Sequence, residues 1–353
     1  MTDAEDGAPG WSAIDAACRK LYPEQPNPPR WTPQVPPEPG GGDTLNEISV
    51  YRVAEPCWHW HFVTYGLSDL FGDQPAADPE GVSGNGFEFT FRLRDETAAD
   101  PDATPPIWPL SLLDNVARLV VRSGHVFGAG HHLNARGPIK LDDPTLLRAI
   151  GFQLDPGLGV IDTPAGRVEF LQLVGLTEAE EQAGADWSMS GLLKMLAERY
   201  PLGITQLDRP DLMSDQEFAA RIAAGAERDG SDTGAMFVGH LATSIAAEDV
   251  IIELGASAVP GLCRLLPMRI PHDRELFLMA DETTVVLRPG LPHAVAQPGG
   301  VLVHMDEEYC HELVSTIIPQ RGDYRCGELK YLVWRVVPSE IREAGGQVTQ
   351  ILG

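Results

Sequence analysis

Hydrophobic and polar residues alternate along several stretches of the chain, and this period of two predicts β-strands. In residues 86–94, four apolar side chains point one way and the polar side chains between them point the other. This pattern predicts a strand with one buried face. Residues 167–175 have no polar side, which predicts a strand buried on both faces. Further strands are predicted over 47–53, 58–65, 250–254, 262–266, 283–288, 300–304 and 330–337.

Apolar residues spaced three or four apart predict helices between these strands. A first helix is predicted over 12–21, with Ser12 as its N-cap, and a second over 109–123, ended by Gly124. Asp306 is the predicted N-cap of a late helix. Two more helices are predicted over 192–200 and 215–226. Helices and strands mix without regular alternation, so the predicted class is α+β, with a mixed or antiparallel sheet and packed helices in each lobe.

The length of 353 residues exceeds what one hydrophobic core usually supports, so two domains are expected. We predict a disordered tail over 1–10, an N-terminal domain over 11–238 and a smaller C-terminal domain over 239–353. The boundary follows residues 227–234, which are polar, turn-forming and expected to be exposed. The stretch 23–42, rich in Pro and Gly, is predicted to be an extended arm on the surface.

The charge of the chain limits its partners. Asp and Glu number 51 and Lys and Arg 26, giving a formal net charge of −25. Such a chain is repelled by nucleic acid and by anionic membranes, so neither is an expected partner. The acidic surface serves either solubility or the capture of a basic partner. No run of apolar residues is long enough for a membrane helix and no secretion signal opens the chain, so a cytoplasmic location is expected.

The five cysteines are odd in number, and no two of them have a Cys-x-x-Cys spacing. We expect reduced, mostly buried thiols, with a zinc or redox site as the alternative.

Two groups of histidines are candidate metal ligands. His59 and His61 share one face of a predicted strand, so both could reach a metal ion. His125, His131 and His132 lie in a glycine-rich loop. No Cys or third His stands at a ligand-like offset beside the first group, and the spacing of the second group matches no known ligand pattern. The alternatives are hydrogen-bonded strand histidines for the first group and a polar loop on a binding face for the second.

Other motifs for chemistry are absent from the sequence. The segment that contains Asp69, Asp73 and Asp78 has apolar residues at positions where a calcium-binding loop needs ligands. We therefore predict a turn there. No nucleophile elbow, phosphate-binding loop or complete dinucleotide motif occurs. The residues therefore indicate a two-domain α+β protein without a visible catalytic motif, and no cofactor is predicted.

Four ordered motifs resemble the suppressor of fused family. They are the segments 18–28, 59–73, 84–93 and 163–175, together with Trp108 and Pro109 before the second helix. The resemblance is strong over 11–234 and looser from Val250 onward. It implies two globular halves, which in animal members clamp an extended segment of a zinc-finger transcription factor of the Hedgehog pathway. That segment adds as a strand between the domains.

Two positions depart from the animal pattern. Animal members hold their ligand with a Tyr in the second helix and an Asp in the following loop, and Leu119 and His131 stand at those positions here. The long insertion of the animal C-terminal half is also absent. The resemblance therefore implies a compact, bacterial-type member with a different partner. The bacterial branch resembles immunity proteins that block a toxin, and the net charge suits a basic toxin.

These observations favour a non-catalytic protein-binding module that sequesters or inhibits its partner. The predicted binding surface is the interdomain cleft, with the loop 124–133 on its rim. Its candidate residues are Leu119, His131, His132, Asp69 and Asp73. One alternative is a metal-dependent enzyme or metal-binding protein that uses either histidine group. The other is a structural, self-associating protein.

Overall fold

The computed structural model describes residues 8–32, 45–72, 81–124, 126–280, 282–342 and 348–353. The chain divides into two compact units: unit 1 comprises residues 1–184 and 189–215, and unit 2 comprises 185–188 and 216–353. This division falls earlier in the chain than residue 238, so the domain boundary at 238 stays a prediction. The mixture of helices and sheets in the units confirms the predicted α+β class.

Unit 1 is built on a large mixed sheet. Its strands are β1 (Arg30–Trp31), β2 (Glu47–Val53), β3 (His59–Tyr65), β4 (Val82–Arg94), β5 (His132–Asn134), β6 (Leu147–Leu154), β7 (Val160–Thr163) and β8 (Gly166–Thr177). The spatial order is β1-β2-β3-β4-β8-β6-β5, with β7 paired to β8. The helices are α1 (Pro9–Leu21), α2 (Trp108–Ser123), α3 (Glu178–Asp186) and α4 (Met189–Arg199). Strand β4 runs parallel to β8, and β6 runs antiparallel to it.

Unit 2 contains three smaller sheets. Its strands are β9 (Ala235–Phe237), β10 (Leu241–Ala246), β11 (Asp249–Gly255), β12 (Leu276–Ala280), β13 (Thr283–Pro289), β14 (His293–Gln297), β15 (Gly300–Met305), β16 (Gly322–Tyr324), β17 (Leu332–Val337), β18 (Ser339–Arg342) and β19 (Val348–Leu352). They form the orders β10-β11-β17-β16, β14-β15-β13-β12-β9 and β18-β19. The helices are α5 (Gln216–Asp229), α6 (Val259–Leu265) and α7 (Glu307–Thr316). As predicted, Asp306 caps α7, accepting a hydrogen bond from the Tyr309 N–H at 2.8 Å.

Both faces of the unit 1 sheet are covered, and this corrects the prediction for β4. Phe89 and Phe91 lie in the core beneath α2, as the period of two predicts. The opposite face meets a second core that includes Ile14 and Cys18 of α1. The polar side of β4, which was predicted to face solvent, is therefore buried.

The N-terminal helix also differs from its prediction. Helix α1 begins at Pro9 without a side-chain cap, so Ser12 is not its N-cap. Pro9 and Gly10, placed in the predicted tail, are helical, and the Gly10 N–H donates to the Leu70 carbonyl at 3.0 Å. A Cβ on Gly10 would lie 2.3 Å from the carbonyl oxygen of Asp69, so the helix packs there without room for a side chain. Residues 1–7 lie outside the described part of the chain.

Two predictions in the second half are wrong. Residues 262–266 were predicted as a strand, but 259–265 form helix α6, with a proline in its first turn. A short apolar run does not distinguish a strand from a buried helix, so packing decided between them. The stretch 227–234 was expected to be exposed. Instead α5 continues to Asp229, and Ser231 is buried with its hydroxyl donating to the Ala185 carbonyl.

Candidate functional site

A groove of about 900 Å³ lies in unit 1 between helix α2 and the segment that follows β5. This volume is near the upper end of the range for ligand sites in proteins. The lining residues are Trp108, Ser111, Leu112, Asn115, Val116, Leu119, Leu133, Asn134, Ala135, Arg136, Pro138, Ile139, Lys140, Leu141 and Ile150.

One face of α2 forms the first wall of the groove. The lining positions from Trp108 to Leu119 are spaced by three or four residues, so they form a single stripe on the helix. Pro109 stands in the first turn, and Gly124 ends the helix with φ of 65°. The neighbouring stripe, which includes Leu113 and Val120, is buried in the core and fixes the helix on the sheet. Leu119 lines the groove and is 38% exposed.

Strand β5 forms the second wall and stands at the edge of the sheet. The Ala135 N–H donates to the Arg148 carbonyl, and the His131 carbonyl accepts from the Phe152 N–H. Because bonded positions alternate in an antiparallel pair, Leu133 faces β6 with its main-chain groups, and those of His132 and Asn134 point away from β6. No other strand of the described residues pairs with this side of β5, so the groove is bordered by an open strand edge.

The Glu181 carboxylate of α3 holds β5 in place. Its Oε1 lies 3.0 Å from Nδ1 of His132, and its Oε2 accepts a hydrogen bond from the Asn134 side-chain amide at 2.6 Å. The side chains of His132 and Asn134, which lie on the same face of β5, thus both contact one residue of α3. The sequence did not reveal this pairing, because Glu181 stands almost fifty residues further along the chain.

The predicted binding residues are only partly brought together. His131 is not in the groove lining; its Nδ1 accepts a hydrogen bond from the Gly128 N–H at 3.3 Å and its ring packs edge-on against Phe127. Asp69 lies in the turn after β3, and its Oδ1 accepts from the N–H groups of Phe71 and Gly72. It is therefore a turn residue, as the failed calcium pattern predicts. Asp73 and Asp78 lie outside the described residues.

The loop after β5 also lines the groove, with residues that were not predicted from the sequence. Arg136 has φ of 55°, a left-handed conformation that is uncommon for residues other than glycine. Its N–H donates to Oδ1 of Asn134 at 2.8 Å, which stabilises the loop. Lys140 forms an ion pair with Asp143 at 2.7 Å. The Asn134-x-Arg136-Gly137-Pro138 stretch, rich in turn-forming residues, was the available signal.

The first histidine pair lies in a buried polar cluster on the other face of the sheet. His59 and His61 point to the same side of β3, as predicted, and both side chains are fully buried. Nη1 of Arg92 lies 3.3 Å from Nε2 of His59, and Nδ1 of His59 lies 2.7 Å from the Cys57 carbonyl oxygen. His59 is therefore a neutral ring that donates through Nδ1 and accepts through Nε2.

His61 links the same cluster to α1 and to Asp155. The Tyr22 hydroxyl lies 2.7 Å from Nδ1 of His61 and accepts from Arg92, so its proton is directed to the ring. Nε2 of His61 lies 3.0 Å from Oδ2 of Asp155.

Burial and charge shift the protonation of this cluster. Burial, supported by the nearby charge of Arg92, lowers the pKa of His61 to about 4, and burial also lowers the pKa of His59 to about 4. Burial alone would raise the pKa of Asp155. The contacts with His61 and Arg92 and the N–H of Leu158 hold it well below its usual range. The cluster at neutral pH is an ionised Arg92–Asp155 pair with two neutral histidines.

The geometry does not favour a metal ion in this cluster. The guanidinium of Arg92 stands against His59, where it would repel a divalent cation. Within the described ranges, no group of three or more His, Cys, Asp or Glu residues is arranged to hold a metal ion. His125 lies outside the described residues, so the second histidine group stays a prediction.

The cysteines are free in all five positions. Burial raises the pKa of Cys18 to about 11 and that of Cys310 to about 12. Both are therefore protonated at neutral pH and are poor nucleophiles.

In the part of the chain that the structure describes, no helix is long and apolar enough to cross a membrane.

Comparison with known proteins identifies relatives of this chain. The sequence model of the family described as Suppressor of fused protein matches residues 44–210. The human protein named Suppressor of fused homolog is 36% identical over 237 residues, which is 63% of this chain and 48% of the human protein. The mouse protein of the same name matches equally. The matched region thus spans about half the length of these curated relatives.

Two solved structures extend the comparison. Drosophila Suppressor of Fused aligns with a TM-score of 0.80 and 22% identity, covering 95% of this chain and 99% of that one, and therefore shares the fold. A chain from the crystal structure of the Sufu-Fu complex aligns with a TM-score of 0.57 and 30% identity, covering 62% of this chain and 97% of that one. The agreement of sequence and fold shows that this chain belongs to the suppressor of fused family.

Proposed function

We propose that this chain is a non-catalytic protein-binding module that holds an extended segment of a partner protein in the groove between α2 and β5. The observation that carries the proposal is the open edge of β5 beside an apolar groove. A segment paired with the outward main-chain groups of His132 and Asn134 gains backbone hydrogen bonds, and its side chains fill the groove. A related protein occurs in a complex described as Sufu-Fu, which supports a protein partner.

The proposal includes the consequence for the partner. A bound segment is sequestered, so the module inhibits its partner, as an immunity protein does with a toxin. The net charge of −25 would speed the approach of a basic toxin at low salt.

The experiment compares two variants of helix α2. Leu119→Asp puts a carboxylate on the apolar wall of the groove, and Val121→Asp makes the same change on the same helix outside the lining. The exposed fractions are similar, 38% for Leu119 and 44% for Val121, so Val121→Asp is a matched control. Each tagged full chain captures proteins from cells of the source organism, and each captured protein is identified by mass spectrometry.

We expect one protein to be retained by the unmodified chain and by Val121→Asp and lost with Leu119→Asp. The affinity of the purified pair should fall at least about tenfold, because an unpaired carboxylate against an apolar wall costs more than about 1.4 kcal/mol. If Leu119→Asp retains every specific partner with unchanged affinity, the groove is not the binding site. If the retained partner stays fully active in the complex, inhibition is wrong.

A further inference from the structure

The charge of the groove is opposite to the charge of the protein. The chain carries 51 acidic residues, yet the lining of the groove contains Arg136 and Lys140 and no Asp or Glu. The net charge of the whole chain therefore does not describe the chemistry of this site. A bound segment would experience the local charges, because screening limits an exposed charge to a range of about 8 to 10 Å in physiological salt.

Arg136 carries a positive charge in the groove lining that no acidic side chain of the described residues pairs with. Lys140 already pairs with Asp143 at 2.7 Å. Across the described ranges, no ion pair or side-chain hydrogen bond involves the guanidinium of Arg136. The main chain at Arg136 is held by Asn134, so the guanidinium projects from a fixed loop at the groove. An arginine in this setting suits a planar carboxylate, which accepts two parallel hydrogen bonds.

The rest of the lining suits an extended apolar peptide. The apolar surface includes Leu112, Val116, Leu133 and Ile139. The side-chain amide of Asn115 can donate to or accept from a peptide main chain. The stripe from Trp108 to Leu119 is roughly 16 Å long at 1.5 Å per residue, which matches about five residues of extended chain.

We propose that the groove binds an extended, apolar partner segment that carries an acidic side chain, and that this carboxylate pairs with Arg136. The inference rests on the proposed function, since it names the chemistry of the segment held at the same site. It separates two roles of charge in one complex. The acidic surface attracts a partner with a basic body, and the groove selects an acidic position in the short segment that it holds.

The experiment begins with selection of random peptides displayed on phage. The purified full chain is the target, and peptides that also bind Leu119→Asp are removed first, so that binders to other surfaces are lost. We expect the enriched peptides to combine apolar residues with at least one Asp or Glu. The most enriched peptide is then synthesised with Glu, Gln or Lys at the acidic position, and each form is titrated by fluorescence polarisation at low and high salt.

Charge variants of the protein complete the test. Arg136→Ala should weaken binding of the Glu peptide by about two- to fivefold, the range of an exposed ion pair, and should leave binding of the Gln peptide unchanged. Arg136→Glu should reverse the order, so that the Lys peptide binds better than the Glu peptide. The matched control is Arg19→Glu, an exposed change on α1, which covers the opposite face of the sheet.

The outcomes distinguish this inference from the function on which it rests. The acidic position is refuted if the selected peptides lose binding to Leu119→Asp but are enriched in Lys or Arg, or if their affinity is unchanged in Arg136→Ala. Peptide binding in the groove would still stand. If no peptide distinguishes the unmodified chain from Leu119→Asp, both the groove and its chemistry are refuted. Equal effects of Arg136→Glu and Arg19→Glu would assign the charge preference to the whole molecule rather than to the groove.

Discussion

The buried pair of Arg92 and Asp155 offers a sharp test of how unit 1 is stabilised. Their side chains are 3% and 0% exposed, and Nη2 of Arg92 lies 3.1 Å from Oδ1 of Asp155. Asp155 also accepts hydrogen bonds from the hydroxyl of Thr90 and from the N–H groups of Gly157 and Leu158. Replacing this carboxylate therefore leaves one buried cation and several donors without their acceptor.

The variant Asp155→Ala should lower the free energy of unfolding by about 3 to 5 kcal/mol, the cost of removing one partner of a buried ion pair. That is a large part of the 5 to 15 kcal/mol by which native domains are usually stable. For a unit of this size the loss corresponds to a Tm lower by about 10 °C. Scanning calorimetry is the appropriate assay, because a chain with two units can unfold in two transitions.

Two comparisons make the test specific. Glu96→Ala breaks the exposed pair with Arg94, whose side chains are 44% and 68% exposed, and should hardly change the transition. Arg92→Met combined with Asp155→Ala removes both charges, so the double variant should be more stable than the sum of the single changes predicts. A loss below about 1 kcal/mol for Asp155→Ala, or strictly additive changes, would refute the reasoning.

Three further predictions concern pH, a helix start and a helix end. The pKa values of His59 and His61 are lowered to about 4 in the folded chain. As the pH falls, the unfolded chain therefore takes up these protons before the folded chain does. The stability they contribute is complete above about pH 6.5 and is lost as the pH falls towards 4. Urea unfolding across this range should show it, and a flat profile would contradict it. Asp306→Ala should lower the free energy of unfolding by about 1 kcal/mol, and Asp306→Asn should lower it much less, as measured by urea unfolding of unit 2. Equal losses in the two variants would exclude a capping role. Gly124→Val should lower the Tm more than Gly124→Asn, because φ of 65° disfavours a β-branched residue, and the reverse order would contradict this.

Much of the candidate site could be predicted, but its chemistry could not. The apolar stripe of α2 follows from local spacing and is confirmed. Leu119 was named from the family resemblance; it lines the groove, and its role as a partner contact stays a prediction. Arg136 was missed because local spacing does not show that it lines a groove with α2, or that no carboxylate among the described residues pairs with its guanidinium. His132 was predicted as a binding residue, and the structure adds that Glu181, from a distant helix, orients it.

The sequence was sufficient where a pattern depends on near neighbours. Strand β2 covers the predicted residues 47–53, and the cap of α7 is Asp306, since alternation and capping act over a few residues. Packing between distant segments decided the rest. Arg92 alternates with phenylalanines as a surface residue would, yet it is buried because α1, some seventy residues earlier, covers that face. Whether a polar side chain faces solvent or a buried partner depends on which segments of the chain pack over it, and local spacing does not show this.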